Sequence, residues 1–120
     1  MKPANYGPFY AAGLYPQLAE LFRSHGYALA VHGSIANDFD LIAVPWVEET
    51  APPHQVIREV LQKFSVEMFR DQDVPTQKPH GRVSFKLALS FGNCALDISF
   101  FPCQSSYERD ERPISPANAR

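Results

Sequence analysis

Apolar residues recur at helical spacing at Leu14, Leu18, Leu21 and Phe22, and Gly26 follows as a stop. Residues 14–25 are therefore expected to form a helix with one buried stripe, with Pro16 tolerable in its first turn. Residues 27–32 are a short apolar run between Gly26 and Gly33 and read as a buried strand. Residues 39–44 are apolar on both faces beyond Asp40 and close on Pro45, the pattern of a strand in the middle of a covered sheet. Glu48, Glu49 and Thr50 before Pro52 and Pro53 make a helix entry, and Val56, Ile57, Val60, Leu61 and Phe64 form the apolar stripe of the helix that follows. Residues 65–70 fit either its last turns or a short edge strand, and residues 71–81, polar and carrying Pro75 and Pro79, are expected as a loop.

Val83, Phe85, Leu87 and Leu89 alternate with Ser84, Lys86, Ala88 and Ser90, a period of two that marks a half-buried strand. A turn over residues 91–94 then returns residues 95–101 as the partner strand of a hairpin, with Leu96, Ile98 and Phe100 on one face and Asp97 and Ser99 on the other. Before the first helix, residues 1–13 carry Pro3, Gly7, Pro8 and Gly13 among Tyr6, Phe9 and Tyr10, and read as an irregular arm pinned by its aromatics. After Pro102 the chain is polar and mixed in charge, a surface-hugging or mobile tail over residues 103–120. The order helix, strand, strand, helix, strand, strand predicts an α+β domain over residues 1–102, with helices packed against a mixed or antiparallel sheet of about four strands.

Composition narrows the setting. A chain of 120 residues, 45% hydrophobic and 20% charged, makes one soluble globular domain. A net charge of -2 argues against the broad basic surface that grips duplex DNA. No apolar run is long enough to span a membrane and the first residues lack a signal peptide's apolar segment, so a cytoplasmic location is expected. Cys94 and Cys103 fall near the two ends of one expected strand, too far apart to bridge, and are read as thiols.

Chemistry concentrates in residues 31–46. An apolar run ends in Gly33-Ser34, three residues follow, and Asp38-Phe39-Asp40 opens the second run. On a strand, side chains two apart share a face, so Asp38 and Asp40 stand together at a cost unless something cationic sits between them. Asp97 interrupts a later apolar strand; a hairpin laid beside residues 39–44 would cluster all three carboxylates, a set suited to one or two Mg2+ ions and phosphoryl or nucleotidyl transfer. Gly33 lets backbone approach a phosphate, and Ser34 can donate to its oxygens, although Gly-Ser is also an ordinary turn and Asp38 an ordinary cap. Lys78, His80 and Arg82 precede the Val83 strand as phosphate-binding candidates or as a solvated basic turn. Trp46, after Pro45, either stacks on a base or caps the core.

Gly33-Ser34, Asp38-Phe39-Asp40 and Asp97, in that order, resemble the polymerase-beta-like nucleotidyltransferase superfamily. The strings His32-Gly33-Ser34, residues 38–46 and Lys78-Pro79-His80-Gly81-Arg82 also look like small proteins of bacteria and their phages. The resemblance implies transfer of a nucleoside monophosphate from a nucleoside triphosphate with two Mg2+ ions. Gly33 and Ser34 would hold the triphosphate, Asp38 and Asp40 would ligate both ions, and Asp97 would ligate the catalytic ion and help activate the acceptor hydroxyl, on a protein, an RNA or a small molecule. The alternative is a catalytically weakened relative acting as a binding module on a partner protein. The three-residue link between Ser34 and Asp38, shorter than is usual in the superfamily, favours that alternative, and the intact three-aspartate pattern favours the transferase. Nothing after Phe101 looks like the helical domain that often grips the base in that superfamily.

Overall fold

The computed structural model describes residues 5–64, 66–68, 75–89 and 94–102. Helix begins earlier than the apolar spacing suggests. The chain is helical from Gly7, passes through a π-helical stretch Phe9–Leu14 and continues as α1, Tyr15–Ser24. Pro16 supplies the reason. Its ring collides with the carbonyl four residues back and it has no amide to donate, and the wider π spacing just before it accommodates both defects. Residues 7–13, expected as an irregular arm, are thus the first turns of the helix, with Tyr10 and Leu14 buried.

Six strands follow: β1 Tyr27–His32, β2 Phe39–Pro45, β3 Val66–Met68, β4 Thr76–Gln77, β5 Val83–Leu89 and β6 Ala95–Phe100, with α2, Pro53–Lys63, between β2 and β3. Their order across the sheet is β1-β2-β6-β5-β3, and β4 pairs with β5. The sheet is mixed: β2 and β6 run parallel, and the other ladders are antiparallel. The two strands beyond the expected four are short edge pieces. Residues 66–68 take the strand option left open for residues 65–70, and residues 76–77 lie in the segment expected as loop. The tail at residues 103–120, Cys103, and residues 91–93 of the expected turn lie outside the described residues.

A parallel neighbour cannot be reached by a tight turn, so β2 connects to β6 through α2 and the β5 arm. Both helices cover the same sheet face. Leu14, Leu18, Leu21 and Phe22 from the first helix and Val56, Ile57 and Val60 from α2 share one core with Leu29, Phe39, Leu41, Phe85, Leu87, Leu96, Ile98 and Phe100. Phe100 anchors it, with Phe22 stacked at 5.7 Å and Tyr27 and Phe85 edge-on at 5.1 and 5.7 Å. The two helices are also joined directly, His25 Nε2 lying 3.1 Å from Glu59 Oε2. The opposite sheet face carries no helix among the described residues. Among them, too, no helix is long and apolar enough to cross a membrane.

Gly26 turns the chain from α1 into β1. Its φ is +94°, a left-handed conformation that L side chains resist, and its amide bonds back to the Arg23 carbonyl. A Cβ there would come within 2.7 Å of Val47 Cγ2 and 3.0 Å of Thr50 Cγ2. Gly26→Ala is therefore expected to cost roughly 2 kcal/mol from strain and crowding together. Urea unfolding of the variant checks this, and an unchanged midpoint would show that the joint yields freely.

Candidate functional site

The open face takes its character from register. Strand pairing sets His32 beside Asp40, Asp40 beside Asp97, and Asp97 beside Lys86. Register partners share a face and adjacent strands lie about 4.8 Å apart, so these four residues form one row across β1, β2, β6 and β5. Phe39, Leu41, Leu96 and Ile98, their alternating neighbours, point into the core. The two aspartates consequently meet at mid-sheet on the uncovered side, with a histidine at one end of the row and a lysine at the other.

Asp97 is steadied by Ser84, whose hydroxyl donates to Oδ1 at 3.3 Å. Asp40 has its carboxyl pKa raised above the ordinary value, first by burial and then by the Asp97 charge, with a smaller push from Asp38; His32 and Lys86 act in the opposite sense. Burial and the neighbouring carboxylate thus both disfavour the charged form of Asp40.

Asp38 behaves differently. β2 begins at Phe39, so Asp38 belongs to the link before the strand. Its Oδ1 accepts the Ala95 amide at 3.1 Å, which ties the start of β2 to the start of β6. Its place is at the top of the row, with one oxygen committed to backbone.

Gly33 and Ser34 lie immediately beyond His32, at the same end of the sheet as the acidic pair. Gly33 has φ +84°, and a Cβ built on it would come within 2.8 Å of Asp40 Oδ2, so the bare backbone makes room for the carboxylate. Ser34 is exposed, and its Oγ accepts the Ala36 amide at 3.4 Å. The rest of the link is held from below: Tyr6 N donates to the Ala36 carbonyl at 2.7 Å and Tyr10 Oη to the Asn37 carbonyl at 2.6 Å.

Lys78, His80 and Arg82 are placed elsewhere. They surround the 3-10 turn Pro79–Gly81 that precedes β5, at the end of the sheet remote from Gly33. Lys78 and His80 are exposed. Arg82 Nε donates to the Pro79 carbonyl at 3.2 Å, and its guanidinium lies over the Phe101 ring, 5.6 Å from the centroid. Trp46 is 60% exposed at the far end of β2 and caps no core.

Lys86 is the residue that sequence reasoning left on a polar strand face with no role. A turn over residues 91–94 would set Ala88 opposite Asp97. Instead the Leu89 amide donates to the Cys94 carbonyl at 3.3 Å, and closing the hairpin there brings Lys86 opposite Asp97. The signal was present as a lysine two positions along the same alternation.

The donor chemistry suits a hard cation. Asp40 and Asp97 offer carboxylate oxygens from neighbouring strands, the ligand type Mg2+ prefers. Among the described residues no group of three or more His, Cys, Asp or Glu is drawn together as a metal cage. In comparisons with known proteins, no family model and no curated protein matches the chain.

A carboxyl with a raised pKa weakens the folded state once it ionises. The penalty is absent below the unfolded carboxyl pKa of about 4 and develops as pH rises through the raised folded value. Asp40→Asn should therefore melt higher than the wild type near neutral pH in metal-free buffer, with the gap closing below about pH 4. Thermal melts of both proteins across that range test the electrostatics, and coincident melting temperatures at neutral pH would refute them.

Proposed function

We propose that the chain is a minimal Mg2+-dependent nucleotidyltransferase that moves a nucleoside monophosphate from a nucleoside triphosphate to a hydroxyl acceptor on a protein, an RNA or a small molecule. The observation that carries this reading is the register of Asp40 with Asp97 on the open face, next to a glycine turn whose bare backbone makes room for the Asp40 carboxylate.

Asp40 and Asp97 would hold the cation, with the second oxygen of Asp38 within the same end of the sheet. When bound, Mg2+ neutralises phosphate oxygens and lowers the barrier to attack on the α-phosphorus. The chain's own groups do the positioning. Gly33 and Ser34 receive the distal phosphates through backbone N–H groups and the Ser34 hydroxyl. Lys86, at the other end of the row, supplies a fixed positive charge to the polyphosphate. Asp97, oriented by Ser84, receives the acceptor's hydroxyl proton. The acceptor oxygen bonds to the α-phosphorus, the α–β bridging bond breaks, and pyrophosphate leaves with its electron pair.

One observation favours a second reading, a nucleotide-binding module with little transferase activity that acts on a partner protein. The Gly-Ser turn and Asp38 are separated by three residues, with Ile35 at φ +52°, and the link's Ala36 and Asn37 carbonyls are occupied by Tyr6 and Tyr10. Such a link has little freedom to wrap a triphosphate.

Calorimetry with Mg2+ and each nucleoside triphosphate separates these readings from no function at all. Wild type is expected to bind only with metal present, Asp40→Asn to lose binding, and Lys86→Gln to weaken it on the order of tenfold. Absence of metal-dependent binding by the wild type would sink both readings. Incubating the protein with α-labelled triphosphate and a cell lysate then decides between them: transfer lost on the order of a hundredfold or more in Asp97→Asn supports the enzyme, and binding without any labelled product supports the module.

A further inference from the structure

The open face continues past the acidic row. Moving along the strands toward Trp46, the next row on the same face holds Ile42, Ser99 and Ser84, which are register neighbours across β2, β6 and β5. One step further, alternation reaches Val44, Phe101 and Arg82. Phe101 extends the parallel ladder, its amide donating to the Ala43 carbonyl at 3.0 Å. Lys86 and Arg82 are four positions apart along the chain, as are Asp97 and Phe101, a span of roughly 13 Å along the sheet.

Arg82 is not a loose surface cation. Its Nε is committed to the Pro79 carbonyl at 3.2 Å, and the guanidinium lies over the Phe101 ring at 5.6 Å. Gly81, with φ +75°, turns the chain beside Pro102 so that the preceding turn can supply that carbonyl. A guanidinium so held stays within cation–π range of the Phe101 ring, and the cation and the ring together offer a planar π-system two attractive partners side by side. A phosphate ligand would use the guanidinium's N–H edge, and part of that edge is already spent on Pro79.

We propose that Arg82 and Phe101 form the platform on which the base of the bound nucleotide stacks. This rests on the nucleotide-binding reading above and assigns the base contact to the open sheet face. With the phosphates at the acidic row, the ribose lies over the row of Ser84 and Ser99 hydroxyls and the base reaches the guanidinium. Stacking does not read base edges, so the platform accepts any of the four bases.

The test compares ATP with inorganic tripolyphosphate, each with Mg2+, by calorimetry on wild type, Arg82→Gln and Phe101→Leu, with melting curves to verify folding. Wild type should bind ATP on the order of tenfold more tightly than tripolyphosphate. Both variants should lose that preference while their tripolyphosphate affinity stays within about twofold of wild type. GTP in place of ATP should give the same preference. Equal wild-type affinities for ATP and tripolyphosphate, or variants that keep the preference, would overturn the platform while leaving the phosphate site standing. Failure of wild type to bind either ligand would overturn the nucleotide site itself, and the platform with it.

Discussion

The parallel pairing of β2 with β6 is the constraint on which the rest of the molecule depends. It is the one parallel ladder in the described sheet, and it forces the connection between the two strands to pass through a helix. That helix and α1 both settle on the same face, so the apolar positions of β2 and β6 are covered on one side and their alternates remain uncovered. The same ladder sets Asp40 opposite Asp97. Like charges directly across a ladder oppose pairing. The arrangement persists because the two aspartates lie on the open face, between the charged or chargeable groups of His32 and Lys86, while the Leu41, Ile98 and Phe100 side chains on the other face drive the strands together.

A second constraint acts on the short link between β1 and β2. Three residues between Ser34 and Asp38 leave several backbone groups that neither strand can satisfy. The N-terminal helical turns meet that need. Tyr10 is fully buried, stacks on Phe39 at 4.5 Å and sends its hydroxyl to the Asn37 carbonyl at 2.6 Å, and Tyr6 bonds the Ala36 carbonyl through its amide. Burial, together with the Cys94 thiol beside it, pushes the Tyr10 hydroxyl far above the ordinary tyrosine range, so it stays protonated and remains a donor. The link beside Asp40 is held by this support together with the Ser34 hydroxyl, which accepts the Ala36 amide.

The open face therefore has an ordered polarity. At the Gly33 end lie the turn, the carboxylates and Lys86; in the middle lie two serines and an isoleucine; at the far end lie Val44, Phe101 and a pinned arginine. The basic turn of Lys78 and His80 sits outside it, exposed beside β5.

Much of the architecture could be read from residue order. Period-two alternation located β5 and β6, glycine and proline boundaries located β1 and β2, and the i, i+3, i+4 stripes located both helices, because each of these signals is local. The grouping of Gly33 with Asp40 was legible for the same reason: a three-residue link keeps neighbours in sequence close in space. What sequence alone could not settle depended on partners distant along the chain. The helical start at residues 7–13 was hidden because proline and glycine forbid a helix only until a π turn absorbs them. Asp38 reads as the twin of Asp40, and only the fold shows one of its oxygens accepting the Ala95 amide of another strand. Arg82 reads as part of a basic turn, and only the fold shows its Nε donating to the Pro79 carbonyl with the guanidinium over Phe101. Lys86 had no role until hairpin register put it beside Asp97. Local periodicity determined which residues face out, and only the pairing of strands across the sheet decided which of them meet.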